Sequence, residues 1–244
     1  MNCNVRTIAR FMFFACAMSL TGTRGLRSQA PETIKEALAK AGVKRDSSSL
    51  IDALGNPKPL IRGLAAMELA DQYNTKAIPA IEHALSNETD AIQRLNMAAA
   101  LNLLGDPFGT SALVAICDDS LLSDDLRLEA AERTLDIKNI RCAQAVKAIL
   151  AKSEMPSLQS QALIYLTDAR LPPNTVATTD TLFESGLRRA LHSMDAETRR
   201  KSALCVGKFM ISAMKKDIAA AILIEHDSSV KDALVLTQKQ LSEK

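Results

Sequence analysis

Tryptophan is absent, and aromatic residues make up only 3% of the 244-residue chain. Phe11, Phe13 and Phe14 lie near the start, leaving Phe108, Phe183, Phe209, Tyr73 and Tyr165 for everything else. Strands draw on aromatic and β-branched residues, so this shortage argues against a β-sandwich. A core must be built from Leu, Ile, Val and Ala, which suits closely spaced helices. No stretch shows the period-two alternation of a half-buried strand. A Gly-rich phosphate loop, a Ser nucleophile motif and a Cys–His pair are missing as well, so nothing in the sequence invites an enzymatic reading.

An excess of one charge is also lacking. The formal net charge is +2, but residues 1–30 hold Arg6, Arg10, Arg24 and Arg27 and no acidic residue. Taking those four from the 30 Lys and Arg leaves 26 against 28 Asp and Glu, a net of −2. A near-neutral remainder lacks the concentrated basic footprint of a nucleic-acid binder or a polybasic membrane-surface protein.

The N-terminus has the layout of an export signal. Residues 1–10 form a basic region, FMFFACAMSLTG an apolar stretch, and small residues follow. Ala17, Gly25 and Ala30 are the candidate cleavage points. The apolar run falls short of the roughly 20 residues that span a bilayer. Residues 1–30 are therefore expected to be a signal peptide, and the mature chain periplasmic or secreted without membrane insertion. The alternatives are an uncleaved anchor or a lipid on Cys16.

Beyond this segment the sequence repeats itself. Shifted by 32 positions, Arg62 falls on Arg94, Ala66 on Ala98, Leu69 on Leu101 and Ile81 on Leu113. A further 33 carries Arg94 to Arg127, Ala98 to Ala131, Ala112 to Ala145 and Leu113 to Val146. Self-similarity in the low thirties marks a stacked array of helix pairs. Apolar spacing, caps and breakers predict helices over 32–41, 48–54, 59–72, 76–86, 91–104, 108–117 and 125–136. They continue over 140–152, 156–168, 180–193, 196–211, 213–225 and 228–242. Residues 31–56 read as a capping pair and 57–244 as the array. A Pro- and Thr-rich insertion near 169–180 interrupts it.

These units resemble the HEAT-repeat family, including the short bacterial form seen in phycobilisome lyase-type proteins. Ile61-Arg62 with Ala65-Ala66 and Leu69, Leu101 to Leu104 with Gly105-Asp106-Pro107, and Ala112-Leu113 with Asp118-Asp119 carry the resemblance. It implies an all-α fold, a right-handed α-solenoid of about five to six stacked antiparallel helix pairs. It also implies a protein-binding scaffold without catalytic activity or cofactor; the alternative is a lyase-like or enzyme-accessory protein holding a tetrapyrrole or a metal. The repeated Arg62, Arg94 and Arg127 either bridge to acidic residues of neighbouring turns, as in the family, or lie on a solvated face. The family's iron hydroxylases use several His-Glu dipeptides; here Glu82-His83 and Glu225-His226 run in the opposite order, and surface or helix-end roles suit all three His.

In such a solenoid the second-layer helices line the concave side. Their non-core positions are Lys76, Glu82 and His83, then Phe108, Ser111 and Val114, then Arg141, Gln144 and Lys147. These are the candidate protein- or peptide-binding residues. Phe108 and Val114 are apolar where neighbouring repeats are charged, which suits a binding centre; the alternative places them under a neighbouring repeat. Asp118, Asp119, Asp124 and Asp125 lack the Gly and the alternation of a calcium loop and read as caps and turn residues. Cys117, Cys142 and Cys205 are too few and too odd in number for a disulfide framework. Cys117 and Cys142 are expected beyond the roughly 7 Å bridging range, because they sit near opposite ends of successive parallel helices.

Overall fold

The computed structural model describes residues 33–135, 139–171 and 180–243. Among them are thirteen α-helices and no strand. In order they are α1 (Ile34–Lys40), α2 (Ser47–Ala53), α3 (Pro59–Asp71), α4 (Ile78–Asn87), α5 (Ala91–Leu103), α6 (Pro107–Asp118) and α7 (Asp124–Glu132). Then come α8 (Ile140–Lys152), α9 (Pro156–Asp168), α10 (Thr181–Leu191), α11 (Ala196–Lys208), α12 (Lys215–Ile224) and α13 (Ser228–Ser242). One-turn 3-10 helices at Thr75–Ala77 and Ser212–Met214 lead into α4 and α12.

Local chemistry sets the boundaries. Asp46, Asp90, Asp106, Ser123, Asn139, Asp180, Asp195 and Asp227 each cap a helix by accepting hydrogen bonds from its first-turn N–H groups. That satisfies donors the helix itself cannot. Gly105, at φ 81°, closes α5 with Gly105 N–H donating to Asn102 O and Asp106 N–H to Leu101 O. This is the left-handed closure that favours glycine. Tyr73 (φ 52°) and Met210 (φ 54°) make the same closure after α3 and α11 without glycine. Without that signal, α11 ends at Lys208, three residues before its expected end.

Odd-numbered helices α1 to α13 pack side by side as a first layer, and even-numbered helices form a second layer against them. Each second-layer helix from α2 to α12 packs on the first-layer helix that follows it. The small residues Ala66, Ala98, Ala131, Ala162 and Ala203, one per first-layer helix from α3 to α11, are all fully buried, as are Leu69 and Leu101. Small side chains there let helices approach closely, and stacking buries faces that one pair alone could not. Gly109 takes this furthest: a Cβ on it would lie 2.5 Å from Leu101 Cβ and 2.7 Å from Ala98 O. On α13, Asp232 and Gln238 stand exposed where α5 carries buried Leu95 and Leu101, with exposed Val235 and Leu236 between them. The array is thus an α-solenoid. The signal-peptide reading of residues 1–30 and most of the 169–180 insertion lie outside the described residues.

A candidate binding surface on the second layer

Three second-layer helices begin alike. Asp106, Asn139 and Asp180 cap α6, α8 and α10, and the second helical residue of each is Phe108, Arg141 and Leu182. Phe108 N–H donates to Asp106 Oδ1 at 2.8 Å and Leu182 N–H to Asp180 Oδ1 at 3.1 Å, so the caps fix the backbone beneath them. Phe108 is 42% exposed and Leu182 65%. Between them run Ser111, Ala115, Gln144 and Ala148, all exposed and mostly small. Two projecting apolar side chains thus bracket a low ridge with Arg141 between them, paired to Asp118 (Nε to Oδ2 3.1 Å). Leu182 escaped the sequence reading because the insertion stretches the local shift from 33 to 41 residues; the buried pattern of α8 (Cys142, Val146, Leu150) reappears 41 later as Phe183, Leu187 and Leu191.

The other expected surface residues fare unevenly. Lys76, Ser111, Gln144 and His83 are exposed, and Glu82 is half-buried. Val114 is only 8% exposed. It corrects the expectation of an exposed apolar pair: α6 packs against α5, α7 and α8, and Val114 is buried in that packing. Lys147 is committed to the fold, its Nζ 2.8 Å from Asp180 and 5.3 Å from the centre of the Phe183 ring. The Lys147 ammonium and the backbone N–H groups of Phe183 and Leu182 hold Asp180 below the usual carboxylate range.

The second layer is closed in the middle and open towards both ends. A cleft of about 460 Å³ lies between α2 and α4, lined by Ile51, Leu54, Ala80, His83 and Ala84 above the Arg62–Glu88 pair. A cleft of about 560 Å³ lies between α10 and α12, lined by Leu191, His192, Ala221, Ile224 and His226 above Arg199–Glu225. The two pairs are twins, 137 residues apart. Arg62 Nε and Nη2 each donate at 2.7 Å to Glu88, and Arg62 Nη1 donates at 2.8 Å to Asn56 O. Glu88 Oε1 in turn accepts Thr89 N–H and Asp90 N–H at 2.9 Å, tying one repeat to the start of the next. Arg199 binds Glu225 at 2.7 and 2.9 Å and Ser193 O at 2.9 Å in the same way. The Arg199 hydrogen bonds draw Glu225 down to about 2, against the opposing pull of desolvation.

Of the three repeated arginines, Arg62 therefore bridges to the next repeat. Arg127 binds Cys117 O (3.1 Å) and Asp124 (3.0 Å). Ser120 stands in the place of Glu88 opposite half-buried Arg94. The acidic group resolves into turn and pairing roles: Asp118 with Arg141, Asp119 accepting Leu121 N–H at 2.9 Å, Asp124 with Arg127. Among the described residues no group of three or more His, Cys, Asp and Glu is placed to hold a metal ion. No helix among them is long and apolar enough to cross a membrane.

Cys117, Cys142 and Cys205 are free, as expected, and all three are buried. The first two lie nearer to each other than opposite ends of level helices would place them. α8 is displaced along α6, so that its first turn meets the last turn of α6, as the Asp118–Arg141 pair one residue away from each thiol shows. The two thiols influence each other: the neighbouring Cys142, then burial, pushes Cys117 up, while Cys117 holds the Cys142 thiol down. The hydroxyl of Thr134, just past α7, donates to Ala131 O at 2.7 Å and also helps to hold the Cys142 thiol down. Tyr165, on α9, completes the cluster with a buried Oη that has no hydrogen-bond partner.

Comparison with known proteins agrees with this architecture. Residues 47–136, from α2 to the end of α7, match the family model for HEAT repeats. The crystal structure of an engineered protein is similar with a TM-score of 0.50 and 19% identity, over 80% of this chain and 95% of that one. At that identity the likeness shows the fold alone. The structure of human deoxyhypusine hydroxylase in complex with glycerol has a TM-score of 0.38 and 13% identity, over 88% of this chain and 82% of that one. A likeness that low carries no argument. No curated protein matches the chain. The protein is an α-solenoid, and its residues 47–136 match the model for HEAT repeats.

Proposed function

We propose that the protein is an exported scaffold that binds another protein or peptide through its second-layer face and has no catalytic activity of its own. The observation that carries this reading is the ridge bracketed by Phe108 and Leu182. Apolar side chains projecting from a rigid, capped backbone beside small residues offer a partner anchors and close approach, the pattern of a binding centre. HEAT repeats suit such a role, although a fold by itself does not assign one. Export rests on the basic and apolar pattern of residues 1–30. The test is affinity capture from an envelope fraction with the wild type and with a Phe108→Ala, Leu182→Ala double variant. The partner retained by the wild type should be lost from the variant at unchanged melting temperature. Identical partner sets would refute the second-layer reading, and accumulation of the uncleaved chain in the cytoplasm would refute export.

A further inference from the structure

We propose that Cys117 and Cys142 are a modification site: on meeting a disulfide oxidant they join, cross-linking the end of α6 to the start of α8. Both thiols are fully buried, on second-layer helices that pack against each other. Their placement is fixed from both sides. Arg127 Nε donates to Cys117 O at 3.1 Å, Cys142 N–H donates to Asn139 Oδ1 at 3.1 Å, and Asp118 and Arg141 join the next residue along on each helix. The buried polar surroundings supplied by Thr134 and the unpartnered Tyr165 hydroxyl set this thiol pair apart from Cys205, which lies on α11 in apolar packing and is pushed up to about 12 by burial.

The chemistry is a two-step exchange. Cys142 loses its proton, and its thiolate attacks one sulfur of the oxidant, releasing the other as a thiolate. The Cys117 thiol then loses its proton and displaces the second half of the oxidant. Two S–H bonds become one S–S bond, and two electrons and two protons reduce one molecule of glutathione disulfide to two of glutathione. Since both sulfurs are buried, the first attack waits on local opening where α6, α7 and α8 meet. The inference does not depend on export or on the proposed binding role.

The test uses the full chain, incubated with glutathione disulfide both folded and during refolding from urea, then alkylated under denaturant and digested with trypsin. Refolding removes the access barrier, so a slow native reaction cannot conceal the outcome. The expected product is peptide 95–127 joined to peptide 142–147, two hydrogens lighter than the separate peptides, with Cys205 alkylated and the link undone by dithiothreitol. Cys117→Ser and Cys142→Ser should each abolish it. Full alkylation of both thiols after oxidative refolding, or their pairing instead with Cys205, Cys3 or Cys16, would overturn the proposal.

Discussion

Removal of the Glu88 carboxylate should loosen one repeat from the next by about 2–4 kcal/mol. Glu88 accepts two charge-assisted hydrogen bonds from Arg62 at 2.7 Å and two backbone N–H groups at 2.9 Å. A hydrogen bond to a charged group contributes about 1.5–3 kcal/mol, so four bonds added naively would suggest far more. Water takes back much of that. The Glu88 side chain is fully buried, but that of Arg62 keeps 20% of its surface exposed and borders the α2–α4 cleft. After Glu88→Ala the guanidinium rehydrates through that opening, which places the cost below the roughly 3–5 kcal/mol of a broken, fully buried pair. For a domain of this size the melting temperature should fall by about 4–16 °C. A double-mutant cycle with Arg62→Ala, read by urea unfolding, should give a coupling of about 1–3 kcal/mol. Arg94→Ala is the internal control. The Arg94 side chain makes no hydrogen bond or ion pair among the described residues, and its loss should stay within about 0.5 kcal/mol. A coupling below about 0.5 kcal/mol, or an Arg94→Ala cost equal to that of Arg62→Ala, would refute the argument.

The twin pair adds a pH dependence. Glu225 falls from 4.5 to about 2 in the folded protein, so its stabilisation is full above pH 4.5 and is lost as pH drops towards 2. Allowing for screening at the open cleft, about 1–2 kcal/mol should disappear over that window; an unfolding free-energy difference between wild type and Glu225→Gln that stays constant from pH 6 to 2.5 would contradict this. Gly109→Ala should destabilise by about 1–3 kcal/mol through overpacking of α6 on α5, measurable as a lower urea midpoint; an unchanged midpoint would mean the helices have room to part. Tyr73→Gly should raise stability by about 0.5–1 kcal/mol, because exposed Tyr73 holds a left-handed conformation that glycine adopts freely. A loss on that substitution would show that the tyrosine ring contributes packing that outweighs the strain.

The repeat was legible because its signals are local. Asp90 and Gly105 mark α5 within a residue of its observed ends, and the run of small residues names the buried faces of α3, α5 and α7 correctly. What escaped was anything that depends on how repeats sit beside one another. A register equates Val114 with Glu82 and Lys147 but carries no information on the gap to the next helix. That gap is closed at α6–α8 and open at α2–α4. The same limit explains the cysteines. Equal register implies level neighbours, whereas α8 slides along α6 and brings Cys142 to Cys117. Arg62 and Arg94 are likewise the same residue at the same position, and only Glu88 against Ser120, 26 residues further on, distinguishes a clamp from an unpaired side chain.

The strongest regularity in the structure is longer than one repeat. A shift of 137 residues superposes Arg62 on Arg199, Tyr73 on Met210 and Glu88 on Glu225, together with the 3-10 turns before α4 and α12 and the clefts above them. The left-handed closures are informative because neither residue favours that conformation; both are held by the same pair of backbone hydrogen bonds. Stacking favours shared geometry of this kind: the clamp ties the loop before α3 or α11 to the loop after α4 or α12. The rims obey no such demand, and they differ. Pro57, Ser86 and Asn87 beside the first cleft become Met194, Leu223 and Ile224 beside the second, all three strongly exposed. Exposed Leu223 and Ile224 add nothing to the core they face away from. The same backbone therefore carries a polar rim beside the cleft near one end of the array and an apolar rim beside the cleft near the other, and any selectivity between them resides in side chains that the fold leaves free to vary.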